Sequence, residues 1–128
     1  MSEPIVFISH FKVKEGKLDG LKQHSRKMME LIKAEKPGTV VFLQYLNEEG
    51  TELSIIHVFP DADAFDRHGE GVAERAKAAL EFIERSRIEI YGTPSDQALA
   101  MLRPPDGSEI TFNHMPQLNV GYIRFKPE

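Results

Sequence analysis

Five histidines carry the acid–base capacity of a chain that has no cysteine. Imidazole changes charge near neutral pH, so each is a candidate proton acceptor, orienting group or ligand. His57 lies in an apolar run from Leu53 to Phe59, on the face that also carries Leu53, Ile55 and Phe59. A histidine in that setting is either a base or orienter for a phenolic ligand, or a core residue bonded to backbone or water. Ser9 alternates with Phe7 and Phe11, and it neighbours His57 if their two strands lie side by side. No nucleophile-elbow motif surrounds Ser9, so a hydrolase triad is not supported. The competing reading is a small polar residue that leaves room for a ligand or a water.

The other histidines are placed less centrally. His10 points to the opposite strand face from Ser9 and reads as an interface residue. His68 adjoins a Gly69-Glu70-Gly71 break. His24 falls among polar neighbours as a pocket wall or a surface group, and His114 lies in the C-terminal segment beside Asn113. Asp61, Asp63, Asp66 and His68 cluster in sequence, but their spacing is that of a helix N-terminus. No HxH, HxxxH or HExxH pair accompanies them, so no metal is expected. No GxGxxG or Walker loop occurs, and no flavin or nicotinamide cofactor is implied.

These residues need elements to hold them. Ile5 to Val13 is a strand rich in β-branched and aromatic residues. Lys17 to Lys36 predicts a helix, with Leu18, Leu21, Ser25, Met28 and Ile32 at helical spacing and Pro37-Gly38 as its stop. Thr39 to Leu46 and Glu52 to Phe59 predict two strands joined at the polar turn Asn47–Gly50. Asp61 is an N-cap for a helix from Ala62 to His68. Beyond the glycines, Val72 to Arg85 continues as helix, with Val72, Ala76, Ala79, Leu80 and Ile83 inward. Arg87 to Tyr91 is a fourth strand. The βαββαβ order is ferredoxin-like, an α+β fold with an antiparallel sheet. Residues 1–92 form that unit, and residues 93–128 form an extension packed on the same domain or on a partner subunit. The extension holds a helix over Asp96–Leu102, a brief strand over Ile110–Phe112 and a last strand over Leu118–Phe125.

The first three strands are apolar on both faces. Two helices can cover only one face, so something must cover the other. A second copy covers it most simply, because one patch then serves both partners. The rival is the segment from Ser108 onward folded over its own sheet. A formal net charge of −4 without a basic stripe argues against nucleic acid. The start of the chain has no positive n-region, and no long apolar run follows, so membrane insertion is not expected and a cytoplasmic location is the default.

Three pieces of sequence resemble the antibiotic-biosynthesis-monooxygenase-like group of the dimeric α+β barrels. They are Val13-Lys14-Glu15-Gly16, Glu35-Lys36-Pro37-Gly38, and the run from Phe59 to His68. The last is similar to the group's "aromatic, x, Asp, x, x, Ala, aromatic, x, x, His" junction. The resemblance spans roughly Ile5 to Tyr91. It implies a pocket between helices and sheet within each subunit. That pocket would have Phe7, Phe11, Phe59 and His24 as walls, and His57, Ser9 and His68 as candidate catalytic groups.

Aligned without gaps, the Asn, Trp and His of the haem-degrading branch fall on Ser9, Phe59 and Ala78. Haem iron needs an axial ligand that Ala78 cannot supply, so that branch fits least. The group also holds cofactor-independent monooxygenases for aromatic or quinol substrates, in which Phe59 would keep the apolar wall. Fold does not choose among these. The expectation is a homodimer that oxygenates a small aromatic ligand without a cofactor. The alternatives are a non-catalytic small-molecule-binding or stress-related module, and a purely structural dimer.

Overall fold

The computed structural model describes residues 3–124. The first strand, β1 (Ile5–Val13), is the centre of the sheet. On one side it pairs antiparallel with β3 (Glu52–Phe59), and on the other with β4 (Ile83–Tyr91). β2 (Val41–Leu46) pairs with β3 across the Asn47–Gly50 turn, where the Asn47 side-chain oxygen accepts the amides of Thr51 and Glu52. Gly50 sits at φ 72°, a left-handed conformation that glycine adopts without steric cost. Four helices connect the strands: α1 (Leu18–Glu35), α2 (Ala62–Gly69), α3 (Val72–Ala79) and α4 (Asp96–Leu102). The order β2-β3-β1-β4 is the ferredoxin-like arrangement expected from the sequence.

The extension adds β5 (Thr111–Met115), paired parallel to β4, so the five-stranded sheet is mixed and open. A parallel neighbour needs a crossover of a dozen residues or more, and the stretch containing α4 supplies it. The brief strand expected over Ile110–Phe112 is therefore longer and lies at the sheet edge. The strand expected over Leu118–Phe125 does not form through Arg124, and Phe125 lies outside the described residues. Val120 and Tyr122 are exposed there, so their alternation has no partner strand to pair with among the described residues.

The second half of the chain corrects one boundary. Helix was expected through Arg85, but α3 ends at Ala79 and β4 begins at Ile83. Phe11, Lys12 and Val13 pair with Arg85, Glu84 and Ile83, so ladder bonds to β1 outweigh the helical preference of Glu84 and Arg85. The ladder shifts register between His10 and Phe11, which accommodates Ser86 as a bulge. Val72 and Leu80, expected inward, are exposed, and Ile83 is buried as a strand residue instead.

The buried core lies in two clusters between sheet and helices. One holds Ile5, Phe59, Ala64, Phe65 and Ile90; the other holds Leu21, Leu53 and Ile83. Among the described residues, no helix is long and apolar enough to cross a membrane.

Candidate functional site

The β1–β3 register sets Phe7 directly opposite His57, and the β2–β3 register sets Phe42 opposite His57 from the other side. His57 is therefore held between two phenylalanines on the helix-facing side of the sheet. Its ring stacks on Phe7 at 5.1 Å and meets Phe42 edge-on at 5.2 Å. Phe59 stacks at 6.1 Å along the same strand. The Nδ1–H of His57 donates to the carbonyl of Phe7 at 3.1 Å, because a carbonyl can only accept. Its neutral tautomer thus leaves Nε2 as a lone-pair acceptor.

α2 closes this cluster from above. Its N-cap Asp61 accepts the Ala64 amide, and the spacing of Ala64, Phe65 and His68 turns all three inward. His68 meets the His57 ring edge-on at 5.0 Å and shares a 2.7 Å hydrogen bond with the hydroxyl of Thr39. The end of α2 is held by two cations. Arg75 donates to the carbonyls of His68 and Glu70, and Lys36 donates to those of Arg67 and Glu70. Positive charge there complements the helix dipole. Gly71, at φ 79°, turns the chain into α3 and brings Arg75 back over that end.

Burial is the main reason both imidazoles stay neutral. His57 is pushed down to about 4, with its bond to Phe7 opposing and Arg75 assisting. His68 is pushed down to about 3, with His57, Arg75 and Lys36 adding to the effect of burial. At neutral pH these groups are acceptors and orienters rather than strong bases.

Phe42 also lines a cavity. A cleft of about 350 Å³ runs between α1 and the β2–β3 edge of the sheet. Leu21 and Met29 form its helix wall, Phe42 and Leu53 its floor, and Ser25 and Gln44 its polar groups. Lys22 and Arg26 stand at its mouth. A larger depression of about 520 Å³ on the outer side of α1 is lined by that helix alone and has no second wall.

The expected site residues divide accordingly. His57, His68, Phe7 and Phe59 come together. Ser9 is buried on the same face, but its cross-strand partners are Ile55 and Ile88. Phe11 packs with the second core cluster. His24 tilts against Phe82 at 5.2 Å, and its buried Nε2 has no hydrogen-bond partner. It therefore stands apart from His57 and from the cleft walls. His10 lies on the opposite sheet face. There it donates from Nε2 to Glu89 at 2.5 Å and contacts the Ser54 hydroxyl at 2.8 Å. His114 donates to the carbonyl of Gly92, which ties β5 to the end of β4.

The acidic cluster is spent locally: Asp63 pairs with Arg67, and Asp66 accepts from Ser95. Among the described residues, no three metal-ligating side chains lie together. Phe42, Thr39 and Gln44 were not singled out from sequence. The Asn47–Gly50 turn held the signal, since it fixes the hairpin register that sets Phe42 opposite His57.

No protein-family model matches the chain, and no curated protein matches it. Solved structures do. MupZ from Pseudomonas fluorescens is similar over 93% of this chain and 95% of its own, at 22% identity and TM-score 0.67. That coverage exceeds what residues 1–92 alone supply. SnoaB from Streptomyces nogalater, a cofactor-independent oxygenase, is similar over 73% of this chain and 96% of its own, at 18% identity and TM-score 0.59. A candidate antibiotic biosynthesis monooxygenase from Caulobacter crescentus is similar over 70% and 88%, at 18% identity and TM-score 0.61. The resemblance stated from the sequence therefore holds at the level of architecture: the chain has the ferredoxin-like α+β fold of the antibiotic-biosynthesis-monooxygenase-like proteins.

Proposed function

We propose that the chain is a cofactor-independent monooxygenase acting on a small aromatic or quinol substrate held in the cleft between α1 and β2–β3. The observation that carries this reading is the position of Phe42. It floors the cleft on one side and contacts the ring of His57 on the other. A planar substrate stacks on Phe42, and His57 sets the orientation of that ring from behind. The substrate supplies all the electrons. The substrate as a whole gives up two hydrogens and gains one oxygen atom of O₂ at a ring carbon, as when a hydroquinone becomes a hydroxyquinone, and the second oxygen leaves as water with those hydrogens. The protein's part is to bind, orient and exclude bulk water. His57 is then a positioning residue, in keeping with an imidazole too weakly basic to take a proton efficiently at neutral pH.

Oxygen uptake with a panel of hydroquinones and phenols tests the reading. The expected result is a protein-dependent rate that falls at least tenfold in Phe42→Ala and less in His57→Ala. No rate above buffer for any member overturns it. The closure of His57 behind Phe42 favours a second reading, binding without turnover. That reading predicts thermal stabilisation by the same compounds with no oxygen consumed.

The proposal includes a homodimer formed through the open sheet face. That face carries Leu43 and Tyr45, which are exposed, and Val6, Ile8, Ile56 and Val58, which are half-buried. Against the rival cover, the C-terminal segment, stand the in-plane pairing of β5 and the exposure of Leu118, Val120 and Tyr122.

A further inference from the structure

The cleft beside Phe42 has a positive lip in a chain of net negative charge. Lys22 and Arg26 are four residues apart on α1, which puts both on one helix face at the mouth. Both are exposed, and no ion pair among the described residues engages either one. No aspartate or glutamate lines the cleft. The formal net charge of the chain is −4, and Glu30, which shares the outer depression of α1 with Lys22 and Arg26, does not line the cleft, so the charged groups of its lining are both basic. Below the lip the walls turn apolar as far as Phe42, with the Gln44 amide as a neutral polar group on the sheet side. The space is therefore graded, from cationic at the mouth to aromatic at the floor. A cleft of about 350 Å³ is near the small end of the ~300–1,000 Å³ range of ligand pockets, which limits the occupant to one or two rings.

We infer that this cleft takes a small aromatic carboxylate, with its ring on Phe42 and its carboxylate on Lys22 and Arg26. The inference rests on the reading of the cleft as the ligand site and names the substrate class for it. A guanidinium presents paired donors that match the two carboxylate oxygens, and Lys22 adds a point charge beside it. A neutral aromatic of the same shape fills the floor equally well but leaves the lip unused. Charge at the mouth therefore decides between two ligands that the apolar walls treat alike.

2-Naphthoate and its neutral isostere 2-naphthamide are the probes, with affinities measured by calorimetry at low and at physiological salt. The acid is expected to bind about fivefold or more tightly than the amide, a preference that shrinks as salt rises. The double variant Lys22→Gln/Arg26→Gln is expected to abolish the preference while leaving the amide affinity unchanged. Both sites are solvent-exposed, so the fold is not at stake. Ser25→Trp, which fills the cleft, is expected to weaken both ligands. Equal affinity for acid and amide overturns the inference and leaves the cleft as a neutral aromatic site. A double variant that weakens both probes alike also overturns it, because shape and not charge is then responsible. Failure of both probes to bind removes the cleft as the ligand site, and with it the functional reading on which the inference rests.

Discussion

His57 and His68 are two imidazoles that the fold accepts only in their neutral form. Once the chain unfolds, each ring takes up a proton below its ordinary value of 6.5. In the folded state His57 resists until about pH 4 and His68 until about pH 3. The unfolded chain thus binds more protons between those limits, and stability falls as pH falls. The contribution is complete above pH 6.5 and is lost progressively on acidification, at up to about 1.4 kcal/mol per pH unit for each ring. His24, also lowered by burial, acts in the same direction. Glu89 is held below its ordinary 4.5 by its bond from Tyr91, then by His10 and Arg87, so its share is lost only at lower pH. Urea unfolding at steps between pH 7 and 5 therefore isolates the histidines. The expected result is a falling midpoint, with a shallower fall in His57→Phe; a flat profile across that window refutes it. Part of this site was legible in the sequence. Alternation alone put His57 with Phe59 and Ser9 with Phe7. It could not say that Phe11 and His24 belong with the second core cluster and Phe82, because that depends on where the helices cross the sheet.

At the scale of elements, the break at Gly69-Glu70-Gly71 was visible as glycines, but what makes it rigid was not. Arg75 reaches back from α3 to the carbonyls of His68 at 2.5 Å and Glu70 at 2.8 Å, and Lys36 reaches the same turn from the end of α1. Three elements are thus clamped at the residue next to the buried pair. Arg75→Ala removes two hydrogen bonds and one of the charges that disfavour protonated His68. Stability is expected to drop by about 1–2 kcal/mol, and the His68 pKa to rise towards its ordinary value. A histidine NMR titration together with urea unfolding reads both. Loss of stability without movement of His68 leaves Arg75 a structural cap only. The strand boundaries follow the same logic. β1 and β3 were readable end to end because β-branched and aromatic residues recur along their whole length. The first half of β4 was hidden because Glu84 and Arg85 favour helix, and only pairing with β1 makes them strand.

At the scale of the whole molecule, the open sheet face combines two kinds of surface. Its β2–β3 side is apolar, with Leu43 and Tyr45 46% and 58% exposed. Its β1–β4 side holds Glu89, which receives hydrogen bonds from His10 and from Tyr91 at 2.6 Å and lies 3.0 Å from Arg87. An isolated buried carboxylate would oppose association. This one already has its partners within the subunit, so a second copy can cover it without stranding a charge. This network was not legible in the sequence beyond the outward direction of His10, because its members sit on two strands, β1 and β4, far apart in the chain. In the proposed homodimer, a two-fold axis through the face lays the apolar side of each subunit within reach of its mate, and one surface serves both partners. Light scattering is expected to give twice the 14.5 kDa chain mass. Leu43→Asp places a charge at a position that is exposed in the single subunit, so it costs the isolated fold little. It is expected to shift the particle to monomer with an unchanged far-ultraviolet spectrum. A wild-type chain at monomer mass across micromolar concentrations overturns the dimer, and a Leu43→Asp variant that stays dimeric moves the interface to another surface. Cleft binding of 2-naphthoate in the monomeric variant then shows whether the site is complete within one subunit, as its lining residues imply.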